Sequence, residues 1–164
     1  MGEIRGKFIV FEGIDGSGKA TQVKLLKEHL EREGFKVEKI DFPRHGENPA
    51  FFVDKYLTGK YGTAEEVGPY RGSIFYALDR YDASFKINDW LKEGKIVLID
   101  RYVASNIGHQ GGKITDKEER KKFFRWLYDL EYNIFKIPRP DFTFILCPPS
   151  ISIHDKSDMP GKVF

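Results

Sequence analysis

Lys7-Phe8-Ile9-Val10-Phe11-Glu12-Gly13-Ile14-Asp15-Gly16-Ser17-Gly18-Lys19-Ala20-Thr21 decides how the rest of the chain reads. Its first six residues form a β-branched and aromatic run of the kind that builds a buried strand. From Gly13 to Lys19 the residues fit G-x-x-x-x-G-K, a loop whose successive N–H groups can turn inward on phosphate oxygens. After the loop, Val23, Leu26 and Leu30 are spaced along one helical face. The helix would set the positive end of its dipole against the same anion, and Lys19 would add a mobile charge. Strand, glycine loop and helix in this order predict a phosphate cradle made of Gly13, Ile14, Asp15, Gly16, Ser17, Gly18, Lys19, Ala20 and Thr21.

One position departs from the pattern. The lysine is ordinarily followed by Ser or Thr, whose hydroxyl binds magnesium. Here Ala20 follows, and Thr21 comes one residue late. One helical step turns a side chain by about 100°. Either Thr21 substitutes, or carboxylates and phosphates hold the metal; the rotation favours the second.

The chain has 164 residues, 40% hydrophobic and 32% charged, enough for one domain with a core and short for two. A net charge of +2 gives no argument for nucleic acid. The single cysteine, Cys147, excludes an internal disulfide and suits a reducing, cytoplasmic setting. Cys147 closes a predicted strand, where buried packing is expected of it. The N-terminus runs directly into the first strand with no signal peptide, and no apolar run approaches the roughly 20 residues that cross a bilayer, so no membrane partner is expected.

Outward from the loop, Gly34 is a natural end for the first helix. Residues 35–42 alternate and read as a second strand, so strand, helix and strand form a βαβ unit in a parallel sheet. Arg44 then lies at the carboxyl end of a parallel strand, where ligands bind. Thr63 and Glu66 have capping-box spacing at the start of a long helix that Pro69 would kink or restart. Phe75, Leu78, Phe85 and Trp90 stand among polar residues on that helix. Tyr76 and Arg80 are four apart and share a face. They either stack on a base and hold its phosphate or sugar edge, or form a packed tyrosine beside a solvated arginine.

Residues 95–100 are the most apolar strand, suited to cover on both faces. It ends in Asp100-Arg101-Tyr102, and a carboxylate there is placed to hold magnesium. The polar, glycine-rich stretch 105–112 reads as a loop in which His109 is a hydrogen-bonding or solvated group. Thr115 and Glu118 repeat the capping-box spacing. Phe123, Leu127, Leu130 and Ile134 then mark one helical face toward the sheet, until Pro138 and Pro140 stop the helix. Residues 141–147 are the fourth strand, ended by Pro148-Pro149, and 150–164 read as an irregular tail.

Together these motifs resemble thymidylate kinase, a P-loop nucleoside-monophosphate kinase family. The stretch from Phe11 to Gln22 is similar to that family's phosphate loop, Phe42-Pro43-Arg44 to its FPR element, and Tyr76-Ala77-Leu78-Asp79-Arg80 to its F/Y-A-x-D-R helix. Asp100-Arg101-Tyr102-Val103-Ala104-Ser105-Asn106 with His109-Gln110-Gly111 is similar to its DRY-x-x-S-N signature. The resemblance covers residues 7 to 149.

It implies a three-layer α/β/α P-loop NTPase domain over 1–149, with parallel strands in the order 2-3-1-4. It implies transfer of a phosphoryl group from ATP to dTMP with magnesium, no general base, and a homodimer as an assembly. Lys19, Arg44, Arg101 and Asp15 would be catalytic. Asp15, Arg44, Tyr76, Arg80, Arg101, Asn106, His109 and Gln110 would hold dTMP, with Tyr76 stacked on the base and Arg80 and Gln110 bonded to it. Asp15 and Asp100 would be the metal residues. The family continues past its fourth strand with an arginine-bearing lid, a fifth strand and a last helix. Here 150–164 stand in their place and contain no arginine. The expectation is therefore a shortened kinase. Its alternative is a weakly active or non-catalytic nucleotide-binding remnant, and a kinase for another nucleotide is a weaker third.

Overall fold

The computed structural model describes residues 5–147, so the tail 150–164 and the Pro148-Pro149 stop lie outside the described residues. Four parallel strands are ordered β2-β3-β1-β4, as expected. They are β1 (Lys7–Gly13), β2 (Val37–Asp41), β3 (Ile96–Asp100) and β4 (Phe142–Leu146). In register, Phe11 pairs with Asp100 and Phe144, and Asp41 with Asp100, so the carboxyl ends of β2 and β3 meet beside the phosphate loop.

Alternation along β1 feeds two cores. Phe8 and Val10 point to one face, with Ile87, Leu91, Ile99, Tyr102 and Ile137. Phe11 points to the other, with Val23, Val37 and Leu98. Helix α1 (Lys19–Arg32) covers the second face; α3 (Ala64–Lys92) and α4 (Val103–Gly111) lie on the first, and α5 (Lys117–Asp129) packs on α4 and, through Phe123 against Tyr70, on α3 rather than on the sheet. This is the three-layer α/β/α arrangement.

Local signals held where the bonds are local. Gly34 ends α1 with a positive φ of 87°, and Phe35 N donates to Leu30 O at 3.0 Å. Thr63 Oγ1 accepts from Glu66 N at 3.2 Å, while Glu66 Oε2 accepts from Thr63 N at 2.7 Å. The long helix breaks at Gly68, immediately before Pro69.

Four expectations change. Residues 103–111 form helix α4 rather than a loop. Gly108 and Gly111 weaken its local propensity, but packing decides: a Cβ on Gly111 would sit 2.4 Å from Phe124 Cε1. The cap of α5 is Asp116, accepting from Glu119 N at 2.8 Å, one residue after Thr115. The face of α5 continues Phe123, Leu127, Glu131, because a π-helical turn over Leu130–Ile134 takes in an extra residue and leaves Ile134 63% exposed. Cys147 is exposed, since among the described residues β4 is an edge strand, with Ile145 at 68%. Phe85 faces outward, and Ala77, Arg80, Ala83, Ser84, Ile87 and Leu91 form the inner face of α3.

The structure also supplies an element that the sequence reading left unassigned. A 3₁₀ turn (Asn48–Ala50) leads into α2 (Phe51–Leu57), which buries Val53 and Tyr56. Among the described residues, no helix is long and apolar enough to cross a membrane.

Candidate active site

The phosphate loop connects β1 to α1 through residues that need left-handed backbone. Gly16 (φ 75°) and Gly18 (φ 87°) have open space where a Cβ would stand, so conformation alone calls for glycine. Lys19 is buried at the start of α1, and its Nζ donates to Ile14 O across the loop at 2.8 Å. The side chain therefore curls over the same backbone that would cradle an anion. Ala20 and Thr21 are both exposed on the first turn.

Next to the loop, β3 delivers Asp100 and Arg101. Asp100 is partly buried; burial pushes its carboxyl up, and the Lys19 cation pulls against that. Asp100 Oδ1 is buried with no hydrogen-bond partner among the described residues. An orphan carboxylate oxygen is a hard donor of the kind magnesium takes. Among the described residues no three His, Cys, Asp or Glu side chains gather as a metal site. The residues therefore fit an ion held by one carboxylate and by phosphate oxygens, the usual state of protein-bound magnesium.

Arg101 adopts φ 66°, a left-handed conformation rare for a side-chain-bearing residue. Two contacts hold it there. Arg101 N donates to Phe11 O at 2.9 Å, and Tyr102 N donates to Glu12 Oε1 at 2.9 Å. Glu12 Oε2 accepts a short bond from Ser105 Oγ on α4. So held, the Arg101 guanidinium reaches Gly13 O at 3.4 Å, Ser105 Oγ at 3.3 Å and the carboxylate of Asp15. It joins the phosphate loop to the neighbouring cavity.

That cavity has a volume of about 510 Å³ and opens at the carboxyl ends of the strands. Asp15, Tyr76, Arg80, Arg101, Asn106, His109 and Gln110 all line it. Tyr76 comes from α3, edge-on to Tyr56 of α2 at 6.3 Å between ring centroids. Burial pushes the Tyr76 phenol up to about 12. Arg80, one helical turn on, is 2% exposed and bonds the carboxylate of Glu131, which is 0% exposed. Burial alone would lower the Arg80 pKa, but the Glu131 charge outweighs it and raises it. Asn106 Nδ2 donates to Ser73 O at 3.1 Å. Gln110 Oε1 accepts from Lys113 Nζ at 2.8 Å, and the same ammonium donates to Tyr56 Oη at 2.8 Å.

Arg44 lies beside the cavity rather than on its wall; its neighbours Pro43 and His45 line it. Arg44 Nε donates to Asp79 Oδ1 at 2.8 Å, and Nη2 to Asp79 O and to Asp82 Oδ2, each at 2.8 Å. Asp79 Oδ2 also accepts from Arg44 N at 2.9 Å, so α3 fixes the loop after β2 as well as the side chain.

The sequence reading missed Glu12, Tyr56, Asp79, Lys113 and Glu131. Glu12 carried a signal, as a charge near the end of an apolar strand. Glu131 carried another, at four residues from Leu127 and eight from Phe123 in the core column. Pro49 followed by Val53 and Tyr56 marked α2.

A sequence model of the family described as thymidylate kinase matches residues 11–156. The thymidylate kinase of Plasmodium falciparum (isolate 3D7) is 28% identical over 160 residues, covering 98% of this chain and 70% of that protein. That of Pelotomaculum thermopropionicum (strain DSM 13744 / JCM 10971 / SI) is 42% identical over 120 residues, covering 70% of this chain and 53% of that protein. A solved thymidylate kinase structure from Candida albicans superposes with a TM-score of 0.68 at 27% identity, over 87% of this chain and 63% of that one.

Proposed function

Because the chain belongs to the thymidylate kinase family, we propose that it transfers a phosphoryl group from ATP to dTMP, giving ADP and dTDP. The observation that carries the reading is Arg101. It lies between a phosphate loop and a nucleoside-sized cavity, with contacts to Gly13 and Asp15 on one side and to Ser105 on the other.

In this reading Gly13 to Thr21 and Lys19 hold the donor's β and γ phosphates. Tyr76 stacks on the acceptor base, Arg80 and Gln110 bond its edge, and Asn106 and His109 line the pocket around it. Arg44, fixed by Asp79, meets the acceptor phosphate. Little covalent work falls to the protein: it aligns the acceptor oxygen with the γ phosphate and neutralises charge as it spreads over the transferring group. Lys19, Arg44 and Arg101 supply that charge. No general base is needed, because the attacking phosphate oxygen is ionised near neutral pH. Asp100 would hold magnesium, which when bound neutralises charge on the phosphate oxygens. Asp15, already held by Arg101, is assigned to orienting that arginine and the acceptor sugar ahead of the metal.

The test is coupled ADP release with saturating ATP, magnesium and dTMP. Lys19→Ala should lower turnover by about 10²–10³ with an unchanged circular dichroism spectrum. Equal turnover in the variant and the unaltered protein would refute the assignment. Absence of turnover in the unaltered protein, with dTMP still bound by calorimetry, would favour a nucleotide-binding role without catalysis.

A further inference from the structure

Arg80 and Glu131 are the deepest charged pair among the described residues, and they stand 51 residues apart in the chain. Glu131 grips one edge of the guanidinium. Arg80 Nε lies 2.9 Å from Oε2 and 3.1 Å from Oε1, and Nη2 bonds Oε1 as well. A guanidinium is planar and its nitrogens are not independent. With the Nε–H and one N–H of Nη2 committed to a carboxylate that is sealed from solvent, Nη1 is the nitrogen with both N–H groups left for the cavity that Arg80 lines. Nη1 has no hydrogen-bond partner among the described residues.

The carboxylate is itself held without freedom. Glu131 continues the core column of Phe123 and Leu127, and the π-helical turn closes around it, with Phe135 N donating to Leu130 O at 2.8 Å. Ile137 N donates to Glu131 O at 3.1 Å. Tyr132, Phe135 and Ile137 pack into the core alongside. A carboxylate there satisfies half of the arginine and pins its plane, whereas an arginine with a solvated partner would swing to suit whatever base arrived.

We propose that Glu131 is a positioning residue for base selectivity: its grip on the Nε–Nη2 edge of Arg80 fixes Nη1 as a donor to a ring carbonyl that rejects a ring amino group. The inference rests on the dTMP reading above. A guanidinium has N–H donors and no acceptor. Opposite a keto base Nη1 gains a charge-assisted bond, while opposite an amino base two donors face each other and both lose their water. A mobile arginine would relieve that conflict by turning away. One clamped at its other edge does not.

The experiment compares dTMP with dCMP, which present a carbonyl and an amino group at the same ring position. Steady-state kcat/KM for each is measured on the unaltered protein and on Glu131→Gln, with thermal melts of both. The preference for dTMP should fall about ten- to a hundredfold in the variant, the span of one hydrogen bond to a charged group. A variant that loses stability but keeps the preference overturns the proposal, since Glu131 then only neutralises a buried cation.

Should the variant not fold, the unaltered protein answers by nitrogen-15 NMR. The Arg80 Nε–H signal, assigned by its loss in Arg80→Lys, should be sharp and slowly exchanging without nucleotide and hold its position when dTMP is added. A signal that sharpens only with dTMP overturns the proposal, because the nucleotide would then be ordering the arginine. Failure of the unaltered protein to bind dTMP removes the underlying reading together with the inference; an unchanged preference with normal turnover removes the inference alone.

Discussion

Removing the Glu12 carboxylate should cost this protein both stability and turnover, for one reason. Glu12 is buried at the end of β1 and accepts two hydrogen bonds, from Tyr102 N and Ser105 Oγ. A hydrogen bond to a charged group contributes about 1.5–3 kcal/mol, so Glu12→Ala forfeits about 3–6 kcal/mol before any relaxation. That is a large share of the roughly 5–15 kcal/mol that separates folded from unfolded domains. Glu12→Gln keeps an acceptor for Tyr102 N and a shape for the site, and should cost about 1–2 kcal/mol.

The functional loss travels through Arg101. Its φ of 66° carries strain on the order of 1–3 kcal/mol and persists because the residues on both sides are tied down. Releasing Tyr102 N lets that turn relax and carries the guanidinium away from Gly13 and Asp15. A displacement near 1 Å in a positioning group can cost about 10²-fold in rate. Urea denaturation followed by circular dichroism, run beside coupled ADP release, measures both. Glu12→Ala within 1 kcal/mol of the unaltered protein, or Glu12→Ala turning over at the normal rate, would refute the reasoning.

Asp100 and two glycines give further outcomes. Burial raises the Asp100 carboxyl, so the folded state holds its proton more tightly than the unfolded chain does. The charge therefore weakens folding increasingly as pH rises from the ordinary carboxylate range through the raised folded value. Asp100→Asn should then be more stable than the unaltered protein at pH 7 and indistinguishable from it below the ordinary carboxylate range, while losing turnover; thermal melts across pH check the first and ADP release the second. Gly16→Ala meets open space and should cost about 1–2 kcal/mol, from the left-handed backbone alone. Gly6→Ala would set a Cβ 1.9 Å from Lys95 O and should cost clearly more, because two backbones must separate; equal midpoints in urea for the two variants would contradict this.

Much of the scaffold was legible because its causes are local. The phosphate loop, the cap at Gly34, the Thr63–Glu66 box and the break before Pro69 each depend on residues within a few positions of one another. The apolar run 96–99 declared a central strand in the same way, since cover on both faces leaves no room for alternation. The strand order came from the resemblance, and the sheet has that order.

The site was legible in part. Asp15, Tyr76, Arg80, Arg101, Asn106, His109 and Gln110 were picked out from motifs, and they line one cavity. Their state was not readable. Arg44 and Asp79 stand 35 residues apart, Arg80 and Glu131 51 apart, and Glu12 and Ser105 93 apart, so no spacing rule connects them. Helix α4 was hidden because glycines lower its propensity, and the contacts of Asn106 with Ser73 and of Gly111 with Phe124 override that. By itself the sequence determined the loop, the strands and the residue types brought to the cleft, since backbone geometry and periodicity are short-range. Only the tertiary structure decided which carboxylate holds which arginine, because a buried charge takes the partner that packing brings within reach.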